Sequence, residues 1–331
     1  MTVSIRPANP DDIEAMTELM VGDARIRAGR EPVLWKLKAD PAGAVGAALR
    51  AAMEAEAPPF RQQWLLAEND GSVVGVVHSI LLPVPPIYAG RFGPPGLIME
   101  DSAVSDNAPE DTPQALLEAA ERDLHEAGAE VLLASSVPGG DWERVHETAG
   151  YAPLTLYLAR SSLRESEAPE GVRRATEADI PGIVARSAEH RDILHGLEDF
   201  WETHPDADAR FGAWMKKSLT LADRDMFVAA RGVEVDGYLV TQPATPLHFP
   251  YAHDIATTGF VDDFYHVALS DPGADPGIAS AADGLFVRGE TALNARGNAA
   301  MLIVCPAAWQ SKRAMLERLG HGVVLVWRIR R

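Results

Sequence analysis

Ile5-Arg6-Pro7-Ala8-Asn9-Pro10-Asp11-Asp12-Ile13 returns later in the chain as Val172-Arg173-Arg174-Ala175-Thr176-Glu177-Ala178-Asp179-Ile180. The shared frame is a branched apolar residue, Arg, Ala two positions on, then Asp-Ile four positions after that. Four further echoes keep the register. Leu66-Ala67 with Gly75 answers Val228-Ala229 with Gly237. Gly128 ahead of Val131-Leu132-Leu133 answers Gly297 ahead of Ala300-Met301-Leu302. Val137-Pro138 answers Cys305-Pro306, and Gly150-Tyr151 answers Gly320-His321. All offsets lie between 162 and 170 residues. Five matches in one register imply two tandem copies of one unit. The polar stretch 161–170 reads as a linker, which divides the chain into 1–160 and 171–331.

Within a copy the pattern alternates strand and helix. Residues 3–6 form a strand, and Pro10-Asp11-Asp12 opens a helix whose Ile13, Met16, Leu19 and Met20 share one face. An Ala-rich helix over 41–57 stops at Pro58-Pro59. Trp64–Ala67 and Val73–Leu82 form a hairpin around Glu68-Asn69-Asp70-Gly71. A proline- and glycine-rich loop, 83–95, precedes a strand from Gly96 to Val104. A helix from Thr112 to Ala127, a strand over 131–134, a short helix over 141–148 and a strand over 154–158 complete the copy.

The bulk properties narrow the partners. The chain has 331 residues, 47% of them hydrophobic, and a net charge of −18. Such acidity disfavours nucleic acid, whose phosphates need a basic counter-surface, and favours neutral or cationic partners. One cysteine, Cys305, excludes an internal disulfide and a Cys-rich metal site, and its apolar strand marks it as a core residue. The first twelve residues are not a secretory signal, and no apolar run approaches the ~18 residues of a membrane span. The expectation is a cytoplasmic protein with no membrane and no nucleic-acid partner.

The element order and the opening Ile/Val-Arg-x-Ala-x-x-x-Asp-Ile resemble the GNAT superfamily of acyl-CoA-dependent N-acyltransferases. The doubling resembles its mycothiol synthase-like two-domain members. The resemblance implies an α/β (α+β) fold of two tandem domains, each a mixed, mostly antiparallel central sheet flanked by helices. It implies acetyl-CoA as co-substrate, no metal, and a small-molecule amine as acceptor, with a homodimer open as an assembly. In that family a loop of the form V-x-x-x-x-[Q/R]-x-x-G-x-[G/A] holds the CoA pyrophosphate on backbone amides at a helix N-terminus. In the first half, Ala108, Asp111 and Pro113 fall on the Gln/Arg and two small positions, and Glu110 adds charge, so this copy reads as degenerate. In the second half, Gly277 and Ala279 keep the small positions, followed by Ser280, while Ala274 replaces the Gln/Arg. Val267 and Leu269 are then expected to offer backbone groups to the pantetheine arm. The cofactor is expected in the second half.

Acyl transfer to an amine needs a base and an acid. Asp262 and Asp263 in the second half, and Glu100 and Asp101 in the first, are the candidate bases. Strand alternation is expected to turn only one of each pair to the cleft. The family's acid is a Tyr of the short helix. His146 holds that position in the first half and Leu316 in the second. His248, His253, His266, Tyr251 and Tyr265 are candidates for an acceptor pocket. Their spacing does not suit a metal. A non-catalytic tandem GNAT that binds a ligand or a protein is the alternative reading. Activity in the first half with His146 as acid is a third.

Overall fold

The computed structural model describes residues 3–166, 170–275, 277 and 280–331. The first half runs β1 (Ser4–Pro7), α1 (Ile13–Arg30), α2 (Pro41–Met53), β2 (Gln62–Asn69), β3 (Ser72–Leu81), β4 (Gly96–Ile98), β5 (Ala103–Val104), α3 (Thr112–Glu126), β6 (Leu132–Ser136), α4 (Asp141–Thr148) and β7 (Ala152–Ser161). The second half repeats this order. It runs β8 (Val172–Arg174), α5 (Ile180–Leu197), α6 (Ala207–Ser218), β9 (Asp225–Arg231), β10 (Glu234–Pro243), β11 (Thr258–His266), α7 (Ser280–Ala295), β12 (Ala300–Pro306), α8 (Gln310–Arg318) and β13 (Gly322–Arg330).

The repeated opening motif has one physical task. Arg6 binds both oxygens of Asp12 at 2.7 Å, and Arg173 binds both oxygens of Asp179 at 2.7 and 2.8 Å. Each aspartate also accepts the backbone N–H three residues before it, that of Asn9 or Thr176, and so closes the cap of its helix. The motif thus ties the first strand of each half to the start of its first long helix.

All strands join one sheet in the order β1-β2-β3-β4-β6-β13-β7-β12-β11-β10-β9-β8, with β5 also on β3. The halves exchange their last strands. β13 lies antiparallel to β6 of the first half, and β7 lies antiparallel to β12 of the second. The two exchanged strands pair with each other at the centre, where Trp327 faces Thr155 and Leu325 faces Tyr157. A core that includes Leu34, Trp35, Ile80, Phe249, Phe260 and Trp327 spans this seam. Separate apolar cores lie under the helices of each half.

Two local departures from the expected strands matter for the site. The single strand expected over 96–104 is broken into β4 and β5 by a turn that carries Glu100 and Asp101. The apolar run Phe264–Leu269 does not end in a strand. β11 stops at His266, and 267–269 form a 3-10 turn.

Candidate functional site

In each half the parallel pair at the heart of the sheet holds together for only a few residues and then parts. β4 and β6 pair from Gly96↔Leu132 to Ile98↔Ala134, and β11 and β12 from Thr258↔Ala300 to Val261↔Ile303. Diverging strand ends leave a cleft, and what enters it differs between the halves.

In the first half the cleft is open. Its volume is about 620 Å³, and its walls include Arg27 and Arg30 of α1, Val104, Pro113, Ser135, Gly139 and Gly140. Glu100 lies at its base and also borders a second cavity of about 400 Å³. That cavity is lined by Phe60, His78, Asp101 and, from the second half, Leu247, Phe249 and Tyr251. Glu100 is 3% exposed, and its pKa is pushed up to about 7, first by burial and then by the neighbouring Asp101 charge. The Ser135 hydroxyl is its polar neighbour and acts to lower that pKa, more weakly than burial raises it. Asp101 is held by His78, whose Nδ1 lies 2.9 and 3.1 Å from its two oxygens, and the His78 ring stacks on Trp64 at 4.4 Å.

In the second half the cleft is plugged. The fully buried Trp309 lies across it, and its Nε1–H donates to the Leu269 carbonyl at 2.9 Å. Ser311 N donates to the Pro272 carbonyl at 3.0 Å, which stitches the loop after β11 to the start of α8. The Leu269 carbonyl accepts from Trp309, and the Val267 carbonyl accepts from Ser270 N. Of the expected phosphate seat, the Gly277 N–H donates to Asp275 Oδ1 at 2.9 Å. In the same loop Gly273 N–H donates to Asp271 Oδ1 at 2.9 Å. Ala279 lies outside the described residues, and Ser280 opens α7.

Asp262 and Asp263 lie in mid-strand, and both line a third cavity of about 530 Å³, against the expectation that alternation would turn one away. The reason is a β-bulge: Val240 faces Asp263 while the next residue, Thr241, faces Val261, so Asp262 is the extra residue. Asp263 anchors a buried chain of polar groups. Tyr238 OH donates to its Oδ2 at 2.8 Å, His190 Nδ1 lies 3.2 Å from its Oδ1, and Lys312 Nζ lies 3.0 Å from His190 Nε2. Lysine only donates, so His190 Nε2 accepts and Nδ1–H points at Asp263. Burial, then Lys312, lowers the His190 pKa to about 4, and burial lowers Lys312 to about 8. Burial works against ionised Asp263, but the bond to His190 leads the effects that hold it below the usual carboxylate range. Asp262 is raised to about 6 by burial and then by Asp263. His190 and Lys312 carried no sequence signal: one looks like a helix-face histidine, the other like a surface lysine.

The remaining candidates are core residues. His146 is 1% exposed among Trp142 and Tyr151, and burial drives its pKa down to about 3, so it holds no proton to give at neutral pH. Leu316 is fully buried. His253 is fixed by the Trp35 carbonyl at 2.9 Å, and His248 packs edge-on against Tyr157 and Phe260. His266 Nδ1 accepts from Ala268 N at 3.0 Å, and Tyr265 is fully buried. Of the group, Tyr251 reaches a cavity, the one beside Glu100. Burial raises Cys305 to about 12. Among the described residues no group of three or more His, Cys, Asp or Glu is placed to hold a metal, and no helix is long and apolar enough to cross a membrane.

No family model matches the chain, and no curated protein matches it significantly in sequence. Solved structures do match. A GCN5-related N-acetyltransferase from Sphaerobacter thermophilus aligns over 99% of this chain and 95% of its own, with 15% identity and a TM-score of 0.57. A tandem GNAT protein from the clavulanic acid biosynthesis pathway aligns over 99% and 97%, with 13% identity and a TM-score of 0.49. The fold of this chain is the GNAT fold, and the internal repeat carries it twice.

Proposed function

We propose that the chain is an acyl-CoA-dependent N-acyltransferase, acetyl being the simplest group transferred, and that the reaction takes place in the first half. The observation that carries this reading is the position of Glu100, buried where the open cleft and the 400 Å³ cavity share a wall. The cleft suits the thioester end of the donor, since the Ser135 and Glu100 side chains both line it. The α3 start, with Glu110, Asp111 and Pro113, does not suit a pyrophosphate, which leaves Arg27 and Arg30 as the cations along the cleft. The smaller cavity, walled by Phe60, Phe249 and Tyr251 and by the Asp101–His78 pair, suits a small-molecule amine with an apolar body.

Glu100 with a pKa near 7 is matched to take a proton from an ammonium group at neutral pH. The freed amine nitrogen attacks the thioester carbonyl carbon and the C–S bond breaks; the second proton, which the nitrogen loses as the amide forms, passes through water in the open cleft to the departing CoA thiolate. The second half, with Trp309 in its cleft, acts as a structural partner that lends β13 and the 246–251 loop.

The test is thermal stabilisation by acetyl-CoA in the parent chain and in Gly140→Trp. Gly140 is the residue before α4, as Trp309 is before α8, and a Cβ there meets only the Val137 carbonyl at 3.1 Å. A donor at ~100 times its dissociation constant should add ~2.7 kcal/mol to the parent and nothing to the variant. No shift in the parent, or an equal shift in the variant, would sink the proposal.

A further inference from the structure

The 530 Å³ cavity of the second half plays no part in the acyl transfer proposed above, yet its construction is that of a ligand site. Its volume falls within the roughly 300–1,000 Å³ of small-molecule sites. Seven aromatic side chains line it, Phe264 of β11 among them with Tyr88, Tyr157, Trp201, Phe211, Trp214 and Trp327. They come from both halves, since Tyr88 lies in the loop after β3 and Tyr157 and Trp327 on the exchanged strands.

The charges in the wall are unevenly matched. Each of its cations has at least one partner, and one donor, Arg191 Nε, has none among the described residues. Arg191 binds Asp208 and, at 2.5 Å, the Ser187 hydroxyl. Arg210 donates to the Pro86 carbonyl at 2.7 Å and to Asp206 at 3.2 Å, and Lys312 donates to His190. Asp263 is engaged by His190 and Tyr238. Asp262 alone, pushed forward by the bulge, has no hydrogen-bond or ion-pair partner among the described residues. The Thr155 hydroxyl and Trp327 Nε1, both buried in the wall, are also unpartnered. A free carboxylate among aromatic faces is the chemistry that recognises an organic cation, through ion pairing and cation–π contact. An anionic ligand would meet the Asp262 carboxylate, and the guanidinium of Arg191 is already ion-paired with Asp208.

We infer that this cavity is a second ligand site, which takes an organic ammonium ion with an aromatic or bulky aliphatic body and performs no acyl transfer. The cavity adjoins the ends of β11 and β12, and beyond it the fully buried Trp309, bonded to the Leu269 carbonyl, takes up room an acyl donor would need, so an amine bound here is held and not modified.

The test is isothermal titration calorimetry of the full chain with tryptamine and with its neutral counterpart tryptophol. Tryptamine should bind saturably and at least tenfold more tightly than tryptophol. Asp262→Asn should remove that preference and leave tryptophol unchanged. Tyr88→Ala, in a surface loop and independent of the buried bulge, should weaken both ligands several-fold. Glu100→Gln, which disables the proposed transfer, should leave tryptamine binding at this site intact, so the two proposals fail separately. Absence of saturable tryptamine binding, or binding that Asp262→Asn does not alter, overturns the inference.

Discussion

Replacing Glu100 by glutamine should make the protein both less active and more stable at alkaline pH. Glu100 is nearly inaccessible, and its pKa stands near 7 against an ordinary 4.5. An ionised carboxylate held so far from its ordinary value carries a penalty of at most about 3 kcal/mol. Between pH 4.5 and 7 the folded chain binds more protons at this group than the unfolded chain does. The stability contribution of Glu100 therefore falls as pH rises through that window. Glu100→Gln keeps the shape and removes the charge. Its amide leaves about 1 kcal/mol of unmade hydrogen bonding. At pH 8 the variant should then exceed the parent by about 1–2 kcal/mol, while at pH 5 the order should vanish or reverse. Asp262, also raised, titrates in both proteins, so the difference between them isolates Glu100. Denaturant melts at pH 5, 6.5 and 8 measure this. In acetyl-transfer assays kcat/KM of the parent should rise with pH through about 7. The variant should lose that limb and about 10²–10⁴-fold in rate. A variant less stable than the parent at pH 8, or one that keeps the parent's rate, would refute the reasoning.

Three other outcomes follow from the same structure. Asp179→Ala removes a helix cap and a bidentate partner of Arg173, at a cost of about 1–2 kcal/mol in denaturant melts at pH 6. Because Arg173 above all lowers the Asp179 pKa to about 2, this contribution should be present above pH 4 and fade as pH falls toward 2; coincident acid titrations of variant and parent would count against it. Lys312, lowered by burial from 10.5 to about 8, binds fewer protons in the folded chain, so stability should gain from pH 8 to 10.5; Lys312→Met should abolish that gain in thermal melts. Trp309→Ala empties the plugged cleft and should cost about 3–5 kcal/mol, and a loss below 1 kcal/mol would show that the indole is not a packed plug.

Much of the architecture was legible because it rests on local rules. The Arg-x-Ala-x-x-x-Asp-Ile repeat, the caps, the proline and glycine stops and the hairpin turn are each written in a few adjacent residues. The candidate site was legible only in part. Asp262, Asp263, Glu100 and Asp101 were read as acidic pairs, but which of them face a cavity depends on a bulge and a broken strand. Those features come from register against neighbouring strands. A contrast stood in the residues after the aligned Val137-Pro138 and Cys305-Pro306: Gly139-Gly140 lead into α4, whereas Ala307-Ala308-Trp309 lead into α8. Its meaning needed the knowledge that this corner lies in the cleft.

The sequence by itself determined that one α/β unit occurs twice, that each copy opens with the same Arg-x-Ala-x-x-x-Asp-Ile motif, and that Glu100, Asp101, Asp262 and Asp263 fall at the middle strands. Only the tertiary structure decided that the last strands are exchanged, because β7 and β13 carry equivalent patterns and either could pair with either half. It also decided which cleft is open. A glycine loop and Asp-Pro-Gly turns look favourable for phosphate in one dimension, but the Asp275 carboxylate folds back onto the Gly277 amide, and an indole donates to the Leu269 carbonyl nearby. The chain spends its donors on its own acceptors wherever it can reach them, and reach is a property of three dimensions.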